Sequence, residues 1–360
     1  MLLTLTAVAG TTIAFQASAA TFRQLSLFPP PPPPPASEPP PVPAPTPTPE
    51  PDPEPDPFVP SEQGDVARCF GAAAADRQNP CENPDLDFQV VPVPSAARAA
   101  QKYQTCTRTE LTPLFKACFW GAPESKATRT VALIGDSHAS HWRAAMQTVV
   151  AAKGWRGVSI QRAACPLTTA YPDLPDPVRE TDCVRWNRSV QRWLLDHPQI
   201  DTVFTSAHLG RVKARTGEAM RETQRAGYAD AFLKLLRGAV RHVVVIRGTP
   251  RISGTTIPCI EQALAERILT PAQACALRRS YALRPDPVVQ AAQALATPAV
   301  QVANLASFMC DASVCNPVVG GVLVLRDVSH MTTTFSATLG PYLLKSVNRL
   351  SADWTAPARR

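Results

Sequence analysis

The sequence predicts an α/β fold built on a parallel sheet covered by helices on both faces, and two observations carry this. From residue 130 on, short runs rich in Val, Ile, Leu, Thr and Phe recur with little polar interruption: "TVALIGD", "GVSIQRA", "DTVFTSA", "HVVVIRG" and "VQVANLASF". Strands so continuously apolar are those buried on both sides of a sheet. Between them lie longer amphipathic stretches, "HASHWRAAMQTVVAAKG", "SVQRWLLDHP", "ADAFLKLLRGAV" and "PVVQAAQALAT", which supply the crossovers that parallel neighbours require.

Taken in order, residues 1–28 open with "MLLTLTAVAGTTIAFQASAA", uncharged, apolar, and ending in the small residues Ala17, Ser18 and Ala19. That pattern suits a secretory signal peptide or, with no Lys or Arg ahead of it, a membrane anchor that tethers the N-terminus or ends a longer parent. Residues 29–60 hold 19 of the 39 prolines, so they predict an extended spacer of roughly 3 Å per residue that cannot pack. Residues 61–126 read as an irregular N-terminal extension fastened by disulfides, 127–352 as the main domain, and 353–360 as a disordered tail.

Ten cysteines fall into five close pairs along the chain: Cys69 with Cys81, Cys106 with Cys118, Cys165 with Cys183, Cys259 with Cys275, and Cys310 with Cys315. None is spaced as C-x-x-C, so disulfides in an exported, extracytoplasmic protein are favoured over a metal site. Past residue 60 the chain carries 35 Lys and Arg against 24 Asp and Glu. Basic residues do not interleave with aromatics, which argues against a nucleic-acid partner. The positive balance suits anionic envelope polymers or lipid headgroups, or simply a solvated basic surface.

Parallel sheets bind ligands where strands end and helices begin, and "VALIGDSHASHW" places Ser137 at such a turn. A serine hydroxyl becomes nucleophilic when a histidine takes its proton and a carboxylate orients that histidine. Of six histidines, His138 and His141 stand too near Ser137 in sequence to reach back to it. His197 lies at a helix end and suits capping, and His242 opens an apolar strand. His208 follows the strand "DTVFTSA". His330 remains, with Asp327 three residues before it in "RDVSHMT". The alternative is structural, with Ser137 and Asp327 capping the helices that follow them.

"GDSH" after the first strand and "DVSHMT" near the C-terminus resemble the first and last blocks of the SGNH (GDSL-like) hydrolase superfamily. Together with "AACPL", "VIRGTP" and "MCDASVCNPVVGG", they resemble the extracytoplasmic SGNH domain of bacterial membrane acyltransferases that O-acylate cell-surface glycans. The resemblance implies a flavodoxin-like three-layer α/β/α sandwich, with Ser137 as nucleophile, His330 as base and then acid, and Asp327 orienting the imidazole. No cofactor or metal is implied. The Ser137 backbone N–H is one oxyanion donor. The asparagine block of classical members is missing from "FTSAHLG", so the backbone near Ala164 and Cys165, the Ser206 hydroxyl and the His208 side chain are candidates for the rest. Asp136 is expected to stabilise the turn, His138 to pack beneath the site, Trp142 to join the core, and Arg247 to fasten a loop or steer an anionic substrate.

The implied function is serine-dependent acyl transfer, acetyl first among the acyl groups, from a donor to an envelope polysaccharide or glycan, with a multispan membrane acyltransferase supplying acyl groups. A secreted carbohydrate O-acetyl esterase would use the same residues, and a third reading keeps the fold as a non-catalytic envelope-binding module.

Overall fold

The structure, a computed structural model, describes residues 68–99, 107–112 and 115–354. The apolar leader, the proline-rich spacer, Cys106 and residues 355–360 lie outside the described residues. Among those described, no helix is long and apolar enough to cross a membrane.

The strands are β1 (Thr107–Thr112), β2 (Phe115–Gly121), β3 (Thr130–Gly135), β4 (Arg156–Gln161), β5 (Ile200–Ser206), β6 (His242–Ile246), β7 (Leu277–Arg278), β8 (Val300–Ala303), β9 (Val314–Cys315), β10 (Val318–Val319) and β11 (Val322–Leu323). The helices are α1 (Ser137–Ser140), α2 (Arg143–Lys153), α3 (Pro177–Leu195), α4 (Met220–Leu236), α5 (Thr256–Glu266), α6 (Pro271–Ala274), α7 (Arg279–Ala282), α8 (Pro287–Leu295), α9 (Thr333–Thr338) and α10 (Gly340–Leu350). The main sheet runs β1-β2-β4-β3-β5-β6-β8. From β4 to β8 every pair is parallel, in the doubly wound order in which the first strand lies between the second and third. The crevice at its switch point therefore opens at the carboxyl end of β3, next to β4 and β5.

The edge beyond β4 departs from expectation. Residues 107–121, read from sequence as irregular, form β1 and β2, which pair antiparallel with each other and with β4. Upstream, Cys69 is bonded to Cys81, and the Gly71 and Ala72 N–H groups donate to the Gly320 carbonyl and the Thr338 Oγ1. The Cys69–Cys81 bond therefore closes within the extension, and what ties this segment to the domain is hydrogen bonding of its backbone N–H groups, not the expected disulfide. Cys165–Cys183, Cys259–Cys275 and Cys310–Cys315 are also bonded; the fifth expected pair, Cys106–Cys118, includes a residue outside those described.

Side-chain alternation along β3 divides the core. Val131 and Leu133 face a layer with Trp142, which precedes α2, Met146 and Val149 of α2, and Leu343 and Val347 of α10. Ala132 and Ile134 face the opposite layer, with Trp186 and Val190 of α3, Phe232 of α4 and Val288 of α8. Strands buried on both faces explain the unbroken apolar runs of the sequence. The helices start where the sequence offers caps: Asp176 and Asp286 accept the N–H groups of Val178 and Val288, each with proline at the next position. Gly154 ends α2 in the left-handed region at φ 60°. At the C-terminus Trp354 stacks on His242 with centroids 4.2 Å apart, so two residues of the tail predicted as disordered from 353, Asp353 and Trp354, are described and the second packs on the domain.

Candidate active site

The chain leaves β3 through a turn that only glycine permits. Gly135 has φ 150°, and a Cβ there would lie 2.9 Å from both the Ala139 Cβ and the Ser206 carbonyl oxygen. Asp136 then caps α1: its Oδ1 accepts the His138 N–H at 2.8 Å and its Oδ2 accepts the His208 N–H at 2.9 Å. One buried carboxylate thereby ties the turn after β3 to the loop after β5. Burial pushes its pKa up to about 6, against the pull of backbone N–H groups from His208, His138 and Ala139. Asp136 does what the sequence suggested and also holds a second loop.

Ser137 begins α1, half-buried, and its Oγ lies 2.8 Å from His330 Nε2. His330 sits on a tight loop closed by a bridge between Leu325 and Met331 and by the Arg326 N–H donating to the His330 carbonyl at 2.9 Å. Asp327 is the hub of that loop. Its Oδ1 accepts the Ser329 and His330 N–H groups at 3.1 and 2.9 Å, and its carboxylate oxygens lie 2.9 and 3.0 Å from His330 Nδ1. Burial works against the charge, but the hydrogen bonds from the His330 ring and the two backbone N–H groups outweigh it and hold Asp327 well below the usual carboxylate range. An ionised Asp327 can only accept, so Nδ1 carries the imidazole proton and Nε2 presents a lone pair to Ser137. The capping alternative is not what the residues do: α1 is capped by Asp136 and α9 by Thr332, whose Oγ1 accepts the Phe335 N–H at 3.1 Å.

Three more imidazoles surround this pair. The His138 ring lies 4.9 Å from His141, 4.7 Å from His208 and 5.1 Å from His330, centroid to centroid. Burial, then the neighbouring rings, hold His138 far below its usual pKa. His141 is lowered to about 3 by burial and the charge field of His330 and Arg326, and its Nδ1 accepts the Met331 N–H at 3.2 Å. Burial also lowers His208. All three are neutral near pH 7, and His330 is the ring of the four that touches both serine and carboxylate. Among the described residues no group of His, Cys, Asp or Glu is arranged to hold a metal ion. Away from the site, His197 packs on Trp193 at the end of α3, its Nδ1 2.8 Å from the Trp193 carbonyl.

The expected oxyanion donors fare unequally. The Ser137 N–H, at the start of α1, has no acceptor among the described residues. Cys165 does not supply a donor: its N–H is spent on the Arg162 carbonyl at 3.1 Å. Its neighbour Ala164 is exposed and held at φ 58°. Ser206 is completely buried, its hydroxyl without a partner, so it faces no substrate. The His208 N–H is committed to Asp136, while the ring lines a cavity beside the site. That cavity, of ≈ 190 Å³, is also walled by His138, Ser329, Thr249 and Arg247. Arg247 fastens a loop as expected, Nη2 donating to the Arg284 carbonyl at 3.1 Å, and Trp142 is fully buried in the core.

Sequence reading missed three supports of this geometry: the Asp136–His208 tie, the Met331–His141 bond, and the Thr249 hydroxyl donating to the Ser329 carbonyl at 3.0 Å. Each joins a side chain to distant backbone, and only the polar residues flanking Ser137 and His330 hint at them.

Among solved structures, the periplasmic domain of a lipopolysaccharide acetyltransferase of Salmonella ser. Paratyphi A is similar at 15% identity, covering 62% of this chain and 84% of that one with a TM-score of 0.47. No curated protein matches the chain. The profile of the family described as "SGNH domain (fused to AT3 domains)" matches residues 104–345. The match takes in more than half of the sequence, with Ser137 and His330 both inside it, and the chain belongs to that family of SGNH domains.

Proposed function

We propose that the protein transfers an acyl group, by way of an ester on Ser137, to a hydroxyl of a cell-envelope glycan outside the cytoplasm. The observation that carries this is the alignment of Ser137 Oγ, His330 Nε2 and Asp327 on two successive contacts, of 2.8 Å and 2.9 Å. In the first half-reaction Ser137 Oγ attacks the donor's acyl carbon while its proton passes to His330 Nε2, and the donor's leaving group takes that proton as its bond to the acyl carbon breaks. In the second, His330 Nε2 takes the proton of the glycan hydroxyl, whose oxygen attacks the ester, and Ser137 Oγ leaves with the proton. Asp327 keeps Nδ1 protonated throughout, and the Ser137 N–H faces the developing oxyanion.

The family's description as fused to AT3 domains supports a membrane acyltransferase as the source of acyl groups. Bonded cysteines support an oxidising compartment. In this account residues 1–28 export or anchor the chain and residues 29–60 hold the domain away from the membrane. Hydrolysis is the second reading, and one observation favours it: the His330 side chain is 27% exposed, so water can reach the base. Turnover of an acetyl ester with and without an oligosaccharide acceptor separates the two. Transfer predicts slow release that acceptor accelerates, with acetyl recovered on the sugar; fast release indifferent to acceptor would establish the esterase instead.

A further inference from the structure

The cavity beside Ser137 and His330 is strongly cationic. Arg247, Arg251 and Arg284 are in its wall, and the one carboxylate there is Asp286. Asp286 is buried, and its two oxygens are taken by backbone, Oδ2 by the Gly248 N–H at 3.0 Å and Oδ1 by the Val288 N–H at 3.1 Å. None of the three arginines forms an ion pair among the described residues. Two are positioned by uncharged partners instead. Arg247 donates Nη2 to the Arg284 carbonyl, and Arg251 donates Nε to the Tyr281 carbonyl at 3.3 Å with its guanidinium 4.2 Å from the Tyr281 ring. Arg284 is exposed and its side chain makes no hydrogen bond among the described residues. Arg247 keeps a buried Nε without an acceptor. The Asp286 carboxylate offsets part of the Arg247 charge, but no acceptor meets its Nε, and a buried donor left unmatched is costly.

From this arrangement we infer that the cavity is a subsite for an anionic sugar, a residue of the acceptor glycan bearing a carboxylate or a phosphate. The inference rests on the acyl-transfer reading of Ser137. Position favours it, because two residues of the wall, His138 and Ser329, are the chain neighbours of Ser137 and His330. Size favours it too: ≈ 190 Å³ is below the roughly 300–1,000 Å³ of pockets for drug-sized ligands and suits one sugar unit. Guanidinium groups match the planar oxygen pairs of carboxylate and phosphate, which a neutral sugar lacks.

The test is calorimetric binding at fixed ionic strength of three probes: a galacturonate trisaccharide, a neutral galactose trisaccharide and galactose 6-phosphate. The wild-type protein should bind an anionic probe about tenfold or more tighter than the neutral one, and the stronger anion identifies carboxylate or phosphate. Arg284→Gln and Arg247→Gln should each reduce that preference severalfold, and together erase it, with thermal melts checking that each variant is folded. Since Arg284 holds nothing in place through its side chain, its variant keeps the test valid if Arg247→Gln fails to fold. Equal binding of charged and neutral probes, or a preference that survives loss of both arginines, overturns the inference. Binding needs no turnover, so this result stands apart from whether Ser137 forms an ester, which is read by mass spectrometry on the wild-type protein.

Discussion

His138 Nε2 lies 3.2 Å from Ser329 Oγ, joining the residue after Ser137 to the residue before His330. The two loops that must hold serine and base together are therefore clamped by their own neighbours, and the Ser329 N–H and carbonyl are engaged as well, by Asp327 and Thr249. Ser329→Ala removes the hydroxyl and leaves a buried imidazole nitrogen unpaired. Stability should fall by about 1–3 kcal/mol, measured by urea unfolding, and turnover of an acetyl ester should fall severalfold. Ser329→Thr, which restores a hydroxyl, should recover most of the turnover; a Thr variant as slow as the Ala variant would refute the clamp.

Asp327→Asn keeps an oxygen for the loop's backbone N–H groups but turns an amide toward His330 Nδ1. The imidazole would then carry its proton on Nε2, facing Ser137 with a donor instead of a lone pair. Steady-state kinetics should show kcat reduced by about 10³–10⁴-fold, with the fold preserved by circular dichroism. A loss under tenfold would mean that Asp327 only shapes the loop.

The buried histidines make the domain acid-sensitive. His141 has a folded pKa of about 3 against 6.5 when unfolded, so the unfolded state binds the extra proton between these values. Its contribution is complete above pH 6.5 and is lost as pH falls. Asp136 acts oppositely: with a pKa raised to about 6, the folded state binds the extra proton between 3.8 and 6, and acidification relieves its burial. From pH 7 to 5, His141 loses about 2 kcal/mol while Asp136 regains about 1 kcal/mol. His138 shares the sign of His141, so the histidines win. Urea unfolding should show stability falling over this range, and His141→Asn, which retains an acceptor for the Met331 N–H, should lose less; a drop as steep as the wild type's would place the acid sensitivity elsewhere.

What the sequence made legible was whatever combined local pattern with chemical identity. β3 and β6 are unbroken apolar runs because both faces are buried, and "GDSH" and "DVSH" carry in the motifs themselves the side chains that meet in the candidate site. β1 and β2 were not legible: "TRTELT" at the sheet edge is polar, and "FKACFWG" beside it mixes small, charged and aromatic residues and follows no period of two. Cys165 and Ser206 could not be told apart from the other oxyanion candidates because donor supply depends on which groups are already bonded or buried. Cys165 gives its own to Arg162, and the Ser206 hydroxyl points into the interior, and neither fact leaves a mark on composition or spacing.

The central claim is that His330 makes Ser137 a nucleophile. Peptide mass spectrometry after treatment with a serine-directed phosphonate tests it most directly. One phosphonyl group should appear on the peptide containing Ser137, be absent from Ser137→Ala, and form far more slowly in His330→Ala. An unlabelled Ser137 in the folded wild-type protein, or labelling at the same rate without His330, would contradict the account.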